Sequence, residues 1–477
     1  MTVAALALGG CNLAPTYQRP AAPVASTFTS GEGQGLAAAD RGWRDVFGDP
    51  RLQTLISIAL QNNRDLRIAA LNVEAAQAAF RIERSAQAPR IDATGTGTVA
   101  GTEEGVSSGF GAGGFTQYRV GLSMAAFEID LFGRVRNLKE AALQEYLATA
   151  EAQRATHLAL VSQVVAQYLR ERAYAEQLAM AERMVELTTE SFDITRRLFD
   201  AGQRSELDLR TAEAQVQGQR AEVIRLTRAR QQAENALVLL IGQPLPENLP
   251  PAQPLESQEI VADLPAGVPS EVLLRRPDIL AAEHVLRAAN ADIGAARAAF
   301  FPSISLTAFA GVASQTLSGL FSNGLSWSFS PQIAVPIFNY GRNRAALDLA
   351  KVRKRIEIAR YERAIQVAFR EVADALVARA TLDQQLEAQV ARAQAEQKRF
   401  ELSESRYKSG IESFLTVLQA QRDLYTTQLQ LVELRLQRLV NLADLYVALG
   451  GGWRERSGSA PASASGPSSS TNRAPAS

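Results

Sequence analysis

The chain has 477 residues, 46% of them hydrophobic, with 50 Lys and Arg against 50 Asp and Glu, so its formal net charge is zero. That length supports a sizeable core and more than one ordinary domain, while the balanced charge offers no field that would recommend nucleic acid as a partner. No run of 18 apolar residues exists, which argues against a membrane-spanning helix, and the single cysteine excludes an internal disulfide framework and a zinc cage.

Residues 1–10 read as a signal-peptide remnant. Val3 to Leu8 is a short apolar run, and Leu8-Gly9-Gly10-Cys11 resembles a bacterial lipobox, where small residues permit cleavage before a cysteine that then carries lipid. No Lys or Arg precedes the run, which leaves open whether Met1 is the true start. Asn12 after the cysteine resembles lipoproteins sent to the outer membrane. Residues 11–40, rich in Pro, Ala, Ser and Gly, read as a lipidated N-terminal linker.

A first structural repeat is expected over 41–242. A helix starts at Asp49-Pro50, runs to about Asn62 and resumes at Asp65, until Pro89 stops it. Strands follow at about 91–130. They comprise Ile91 to Gly101 and an alternating segment with Tyr118, Val120, Leu122 and Met124 opposite Arg119, Gly121 and Ser123, joined by the glycine- and serine-rich loop 103–114. Residues 134–199 contain neither Pro nor Gly and predict one helix of roughly 100 Å. Gly202 suits the left-handed position that ends it; Ser205 can cap the next helix, 205–241, with Asp208 completing a capping box. Residues 243–270 carry seven prolines and read as an equatorial connection between repeats.

The second repeat, 271–453, follows the same order. Pro277 to Phe301 is a helix, and strands occupy about 303–337. There Leu325, Trp327, Phe329, Ile333, Val335 and Ile337 alternate with Ser326, Ser328, Ser330, Gln332 and Ala334. A second Pro- and Gly-free helix covers 342–407, Gly410 turns the chain and Ser413 caps the helix 413–449. In that helix Leu418, Tyr425, Leu429, Val432, Leu436, Leu439, Ala443 and Tyr446 step by three and four, a coiled-coil seam. Residues 454–477, mostly Ser, Ala and Pro, are expected to be a disordered tail.

Gly202, Ser205 and Leu207 recur 208 residues later as Gly410, Ser413 and Leu415, and Gly133-Arg134 as Gly341-Arg342. The chain is a duplication. Two strands per repeat give four, and four cannot close a barrel in lipid, where an open edge leaves backbone groups unpaired. Three copies would pool twelve strands, and their helices would form a tube. Enzyme chemistry is not expected. His157 and His284 are the only histidines, both within predicted helices, and neither a phosphate loop nor a dinucleotide fingerprint is present, so no cofactor and no metal site is expected.

Several segments, in order, resemble the outer membrane factor family, the TolC-like and NodT/OprM-type efflux lipoproteins: Cys11-Asn12-Leu13-Ala14-Pro15-Thr16-Tyr17-Gln18-Arg19-Pro20, Trp43 with Phe47-Gly48-Asp49-Pro50, Glu128-Ile129-Asp130-Leu131-Phe132-Gly133-Arg134, Leu274-Arg275-Arg276-Pro277-Asp278-Ile279, and Gly450-Gly451-Gly452-Trp453. The resemblance implies an α+β membrane protein whose duplicated half-repeat supplies four barrel strands and long coiled-coil helices per chain. It closes as a homotrimer with a β-barrel in outer-membrane lipid and an α-helical barrel in the periplasm. Implied partners are a periplasmic adaptor and an inner-membrane RND-type transporter, for passive export of drugs or other small molecules. The implied adaptor-docking tips hold Gly202, Ser205, Leu207, Gly410, Ser413 and Leu415. The implied gate candidates are Asp208, Tyr407, Thr416 and Gln419. Related channels often carry aspartates just after the second tip, where this chain has Thr416 and Gln419, so a weaker cation preference is expected. Alternatives are a type I protein-secretion channel or a non-channel periplasmic coiled-coil scaffold; the twice-repeated strands disfavour the scaffold, and the lipobox and the Gly450 to Trp453 ending favour the efflux branch.

Overall fold

The computed structural model describes residues 11–25, 38–100, 115–261, 275–322 and 324–458. The signal-peptide remnant, the loop 103–114, Leu274 with the later part of the equatorial connection, and the tail from 459 onward lie outside the described residues. In chain order the elements are α1 (Trp43–Val46), α2 (Pro50–Asn62), α3 (Arg64–Ser85), β1 (Ile91–Ala100), β2 (Phe115–Ile129), α4 (Arg134–Asp200), α5 (Glu206–Ile241), α6 (Pro277–Ala298), β3 (Ser303–Ser314), β4 (Leu325–Ala334), α7 (Arg342–Lys408) and α8 (Phe414–Ala448). Positive-φ glycines punctuate both repeats in one register: Gly133 and Gly341, Gly202 and Gly410, Gly242 and Gly450. Each sits at a helix end, where a side chain would strain the left-handed backbone.

The chain divides into two compact units, each drawing on both repeats. One comprises the chain up to Ala21 with Leu71–Ala150 and Ala281–Arg363. It holds an antiparallel sheet in the order β1-β2-β3-β4. β2 is longer than its sequence pattern indicates, because a bulge between Met124 and Phe127, with Ala126 at φ 48°, interrupts the alternation and then restores it. β4 ends at Ala334, three residues short of the expected Ile337; Pro336, which has no N–H to donate, lies two residues further on.

The N-terminal segment of this unit is not a free linker. Asn290 Nδ2 donates to the Pro15 carbonyl at 2.8 Å and Arg297 to that of Leu13 at 3.0 Å. The Glu283 side chain is 4% exposed and accepts from Arg19 at 2.7 Å and Arg287 at 2.7 Å. Burial pushes its carboxyl up, but these two guanidinium bonds outweigh that and hold it below the usual range. Composition marks this segment as unstructured, yet its polar groups find fixed partners on α6.

The other unit comprises Ala22–Ala70, Glu151–Leu280 and the chain from Ala364. Its core packs Trp43, Phe47, Leu55 and Ile56 of the N-terminal turns and α2 against Val161, Val164, Tyr168 and Leu169 of α4, Leu237 and Ile241 of α5, and Val432, Leu439, Ala443 and Tyr446 of α8. Buried Arg276 fixes the start of α6: it donates to the Ala448 carbonyl at 3.0 Å and bridges Asp278 at 2.7 Å and Glu371 at 2.8 Å. The tail expectation is corrected at its start. Trp43 N donates to the Arg454 carbonyl at 2.9 Å and Arg44 N to that of Glu455 at 3.1 Å, so Arg454 and Glu455 supply acceptors for the otherwise unpaired first turn of α1.

Candidate functional site

The register of the sheet sorts its residues onto two faces. Ile91, Val99, Tyr118, Val120, Leu122, Met124, Ile304, Leu306, Leu325, Trp327, Phe329 and Ile333 fall on one; Asp92, Thr94, Thr96, Thr98, Arg119, Ser123, Phe309, Ser326, Ser328 and Ser330 fall on the other. The apolar face is bare in the single chain: Val99 is 74% exposed, Trp327 73% and Leu325 77%. So large a contiguous apolar surface requires a nonaqueous neighbour. Strands of 10 to 15 residues with apolar and polar faces have the length and pattern of membrane-barrel strands. Among the described residues no helix is long and apolar enough to cross a membrane.

The two helical turns are built alike. Gly202 N donates to the Phe199 carbonyl at 2.8 Å and Gln203 N to that of Leu198 at 2.8 Å; Gly410 N donates to Tyr407 at 2.9 Å and Ile411 N to Arg406 at 3.0 Å. Ser205 Oγ accepts from Asp208 N at 3.2 Å, and Ser205 N donates to the Asp208 carboxylate at 3.3 Å, completing the expected capping box. At the second turn Ser413 Oγ accepts from Thr416 N at 3.3 Å, and Thr416 Oγ1 donates to Glu412 at 3.2 Å. Leu207 is 76% and Leu415 68% exposed, so each turn presents one bare apolar side chain.

The gate candidates are placed less simply. Asp208 is occupied by its own cap, and among the described residues it is not bonded to Tyr407 within the chain. Tyr407 Oη instead accepts from Arg204 at 3.5 Å, and its ring lies 5.5 Å from that of Phe414. A tie thus runs from the first turn to the second. Sequence pattern does not expose it, since Arg204 looks like any exposed loop arginine. Thr416 is half-buried and Gln419 exposed. The nearby carboxylates are neutralised: Glu412 pairs with Arg406 at 3.3 Å and Asp423 with Arg399 at 2.6 Å. Cys11 is exposed, with Arg136 donating to its carbonyl at 3.5 Å.

His284 Nδ1 lies 2.7 Å from Gln144 Oε1, whereas His157 Nε2 is buried without a partner. Burial pushes His157 down to about 4. Both are helix residues, and among the described residues no group of three His, Cys, Asp or Glu could hold a metal ion.

A family model described as Outer membrane efflux protein matches residues 55–243 and 268–451. The toluene efflux pump outer membrane protein TtgC of Pseudomonas putida is 46% identical over 473 residues, covering 98% of this chain and 97% of that protein. The cation efflux system protein CusC of Escherichia coli is 44% identical over 458 residues, covering 94% and 98%. The open state of the Neisseria gonorrhoeae MtrE outer membrane channel superposes with a TM-score of 0.87 at 42% identity, covering 94% of this chain and 100% of that one. With its lipid-type strand faces and paired helical turns, the chain belongs to the outer membrane efflux protein family and is an outer membrane channel component of an efflux pump.

Proposed function

We propose that three copies of this chain form a passive exit duct, receiving drugs or other small molecules from a periplasmic adaptor and an inner-membrane RND-type transporter. The observation that carries this reading is the four-stranded sheet with one bare apolar face and two unpaired edges, β1 and β4. In lipid each unpaired backbone group costs several kcal/mol, so the edges need partners, and neighbouring copies supply them without leaving a new edge. Cys11, exposed at the start of the strapped segment, is the lipid attachment point. The turns bearing Gly202, Ser205, Leu207, Gly410, Ser413 and Leu415 dock the adaptor, and Asp208, Tyr407, Thr416 and Gln419 belong to the gate between them.

Cargo is set elsewhere in the pump. Relatives at 46% and 44% identity are named for toluene and for cations, so a duct of this sequence type serves chemically unlike solutes. Purified protein reconstituted in a planar bilayer is expected to give discrete single-channel steps. A preparation that inserts as the full-length protein and carries no current would contradict the duct.

A further inference from the structure

Among the described residues, the polar face of the sheet carries one charge that nothing nearby balances. Thr96, Arg119 and Ala313 are in register across β1, β2 and β3, and the next polar-face row is Thr94, Gly121, Gly311 and Ser326. Every one of these except Arg119 is neutral. The acidic residues of this face are already occupied: Asp92 pairs with Arg90 at 2.9 Å, and Glu128 is held in the fork of Arg134. Arg119 has no carboxylate partner among the described residues, and its Nε is buried without a hydrogen bond.

Arg119 is nonetheless held in place. Its guanidinium carbon lies 5.3 Å from the centre of the Phe309 ring. That ring lies over the cross-strand pair Gly121 and Gly311, its Cζ 2.9 Å and 3.0 Å from where their Cβ atoms would be. Two glycines thus leave room for an aromatic shelf, and the shelf carries the cation. A side chain at Gly121 would also meet the Ala310 carbonyl at 2.5 Å. Such a seat restricts the rotamers of an otherwise flexible arginine and keeps its charge at a fixed depth along the strands.

We propose that Arg119, seated on Phe309, sets the charge preference of the barrel lumen: three copies form a ring of guanidinium groups that concentrates anionic solutes and disfavours cationic ones. This rests on the trimeric duct reading, in which the apolar face meets lipid and the polar face meets the lumen. Within a narrow, low-dielectric wall a ring of like charges acts on every solute that passes, whatever the pump has delivered. The preferred class is small organic or inorganic anions.

The test reads the local potential directly and does not depend on whether the helical turns are open. A reporter cysteine is introduced as Ser328→Cys, which is in register with Phe309 on the polar face. Intact cells are treated from outside with impermeant anionic or cationic methanethiosulfonates, and the parent chain, with Cys11 alone, supplies the background. The anionic-to-cationic rate ratio is expected to fall about tenfold when Arg119→Gln is added, and to survive Arg119→Lys. Comparable trimer abundance in the outer membrane controls for folding. A reactive Ser328→Cys whose ratio is unmoved by Arg119→Gln overturns the ring while leaving the duct intact. A Ser328→Cys that resists both reagents overturns the lumenal assignment, and the barrel reading with it.

Discussion

Asp49 is 1% exposed, and its carboxylate accepts from Arg51 N at 2.7 Å, Leu52 N at 3.4 Å, Tyr168 Oη at 2.6 Å and Gln258 Nε2 at 2.8 Å. One side chain therefore caps α2, anchors the middle of α4 and pins the segment around Gln258 that follows α5. Asp49→Ala removes the cap and strands two buried donors, a loss of roughly 2–4 kcal/mol, whereas Tyr168→Phe removes one bond and costs about 1–2 kcal/mol. Thermal melting of the solubilised protein is expected to rank them in that order; equal melting temperatures would mean the carboxylate is not the hub. His157 yields a pH prediction. Its folded value, near 4, lies below the ordinary 6.5, so the neutral ring is favoured in the fold. The stability this contributes is present above about 6.5 and lost as pH falls toward about 4. Asp292 and Glu145, pushed up by burial, act in the opposite direction, so the comparison must be between variants. His157→Leu is expected to lose less melting temperature than the parent between pH 7 and pH 4, and parallel curves would contradict it.

At the scale of elements, legibility followed punctuation. The helix expected over 134–199 is found at Arg134–Asp200, and that expected over 342–407 at Arg342–Lys408, because Gly133, Gly202, Gly341 and Gly410 bound them in sequence and in backbone angle alike. The strands were less legible. Gly95, Gly97 and Gly121 dilute the alternation, and the bulge near Ala126 breaks its parity. Long-range polar contacts were not legible at all: the strap on Glu283 and the Arg204–Tyr407 tie join residues 264 and 203 positions apart with no periodic signal. That tie and the Asp208 cap motivate a gating prediction. Tyr407→Phe removes the acceptor for Arg204, and Asp208→Ala removes the carboxylate of the capping box, so each is expected to raise single-channel conductance; unchanged conductance would place the lock elsewhere. The arginine partners of Glu412 and Asp423 add a selectivity prediction at the second turn. Reversal potentials in a salt gradient are expected to show less cation preference than a turn ringed by free carboxylates would impose, and strong cation selectivity would contradict the neutralised turn.

At the scale of the molecule, duplication explains the number of parts. Each repeat contributes two strands, one long helix and a shorter helix on either side, with α1 and α2 added at the start of the first, yet neither repeat forms a compact unit alone, since both units draw on both halves. The sheet shows why one chain does not suffice. Its four strands run β1 to β4 in sequence order, with an apolar face too exposed for water and two edges too costly for lipid. Small membrane barrels require about eight or more strands, so closure demands further copies, and three supply twelve. The most direct test of this account is the mass of the detergent-extracted particle by native mass spectrometry. Three chains per particle is the predicted result, and a particle that is stably monomeric or dimeric would contradict the shared barrel.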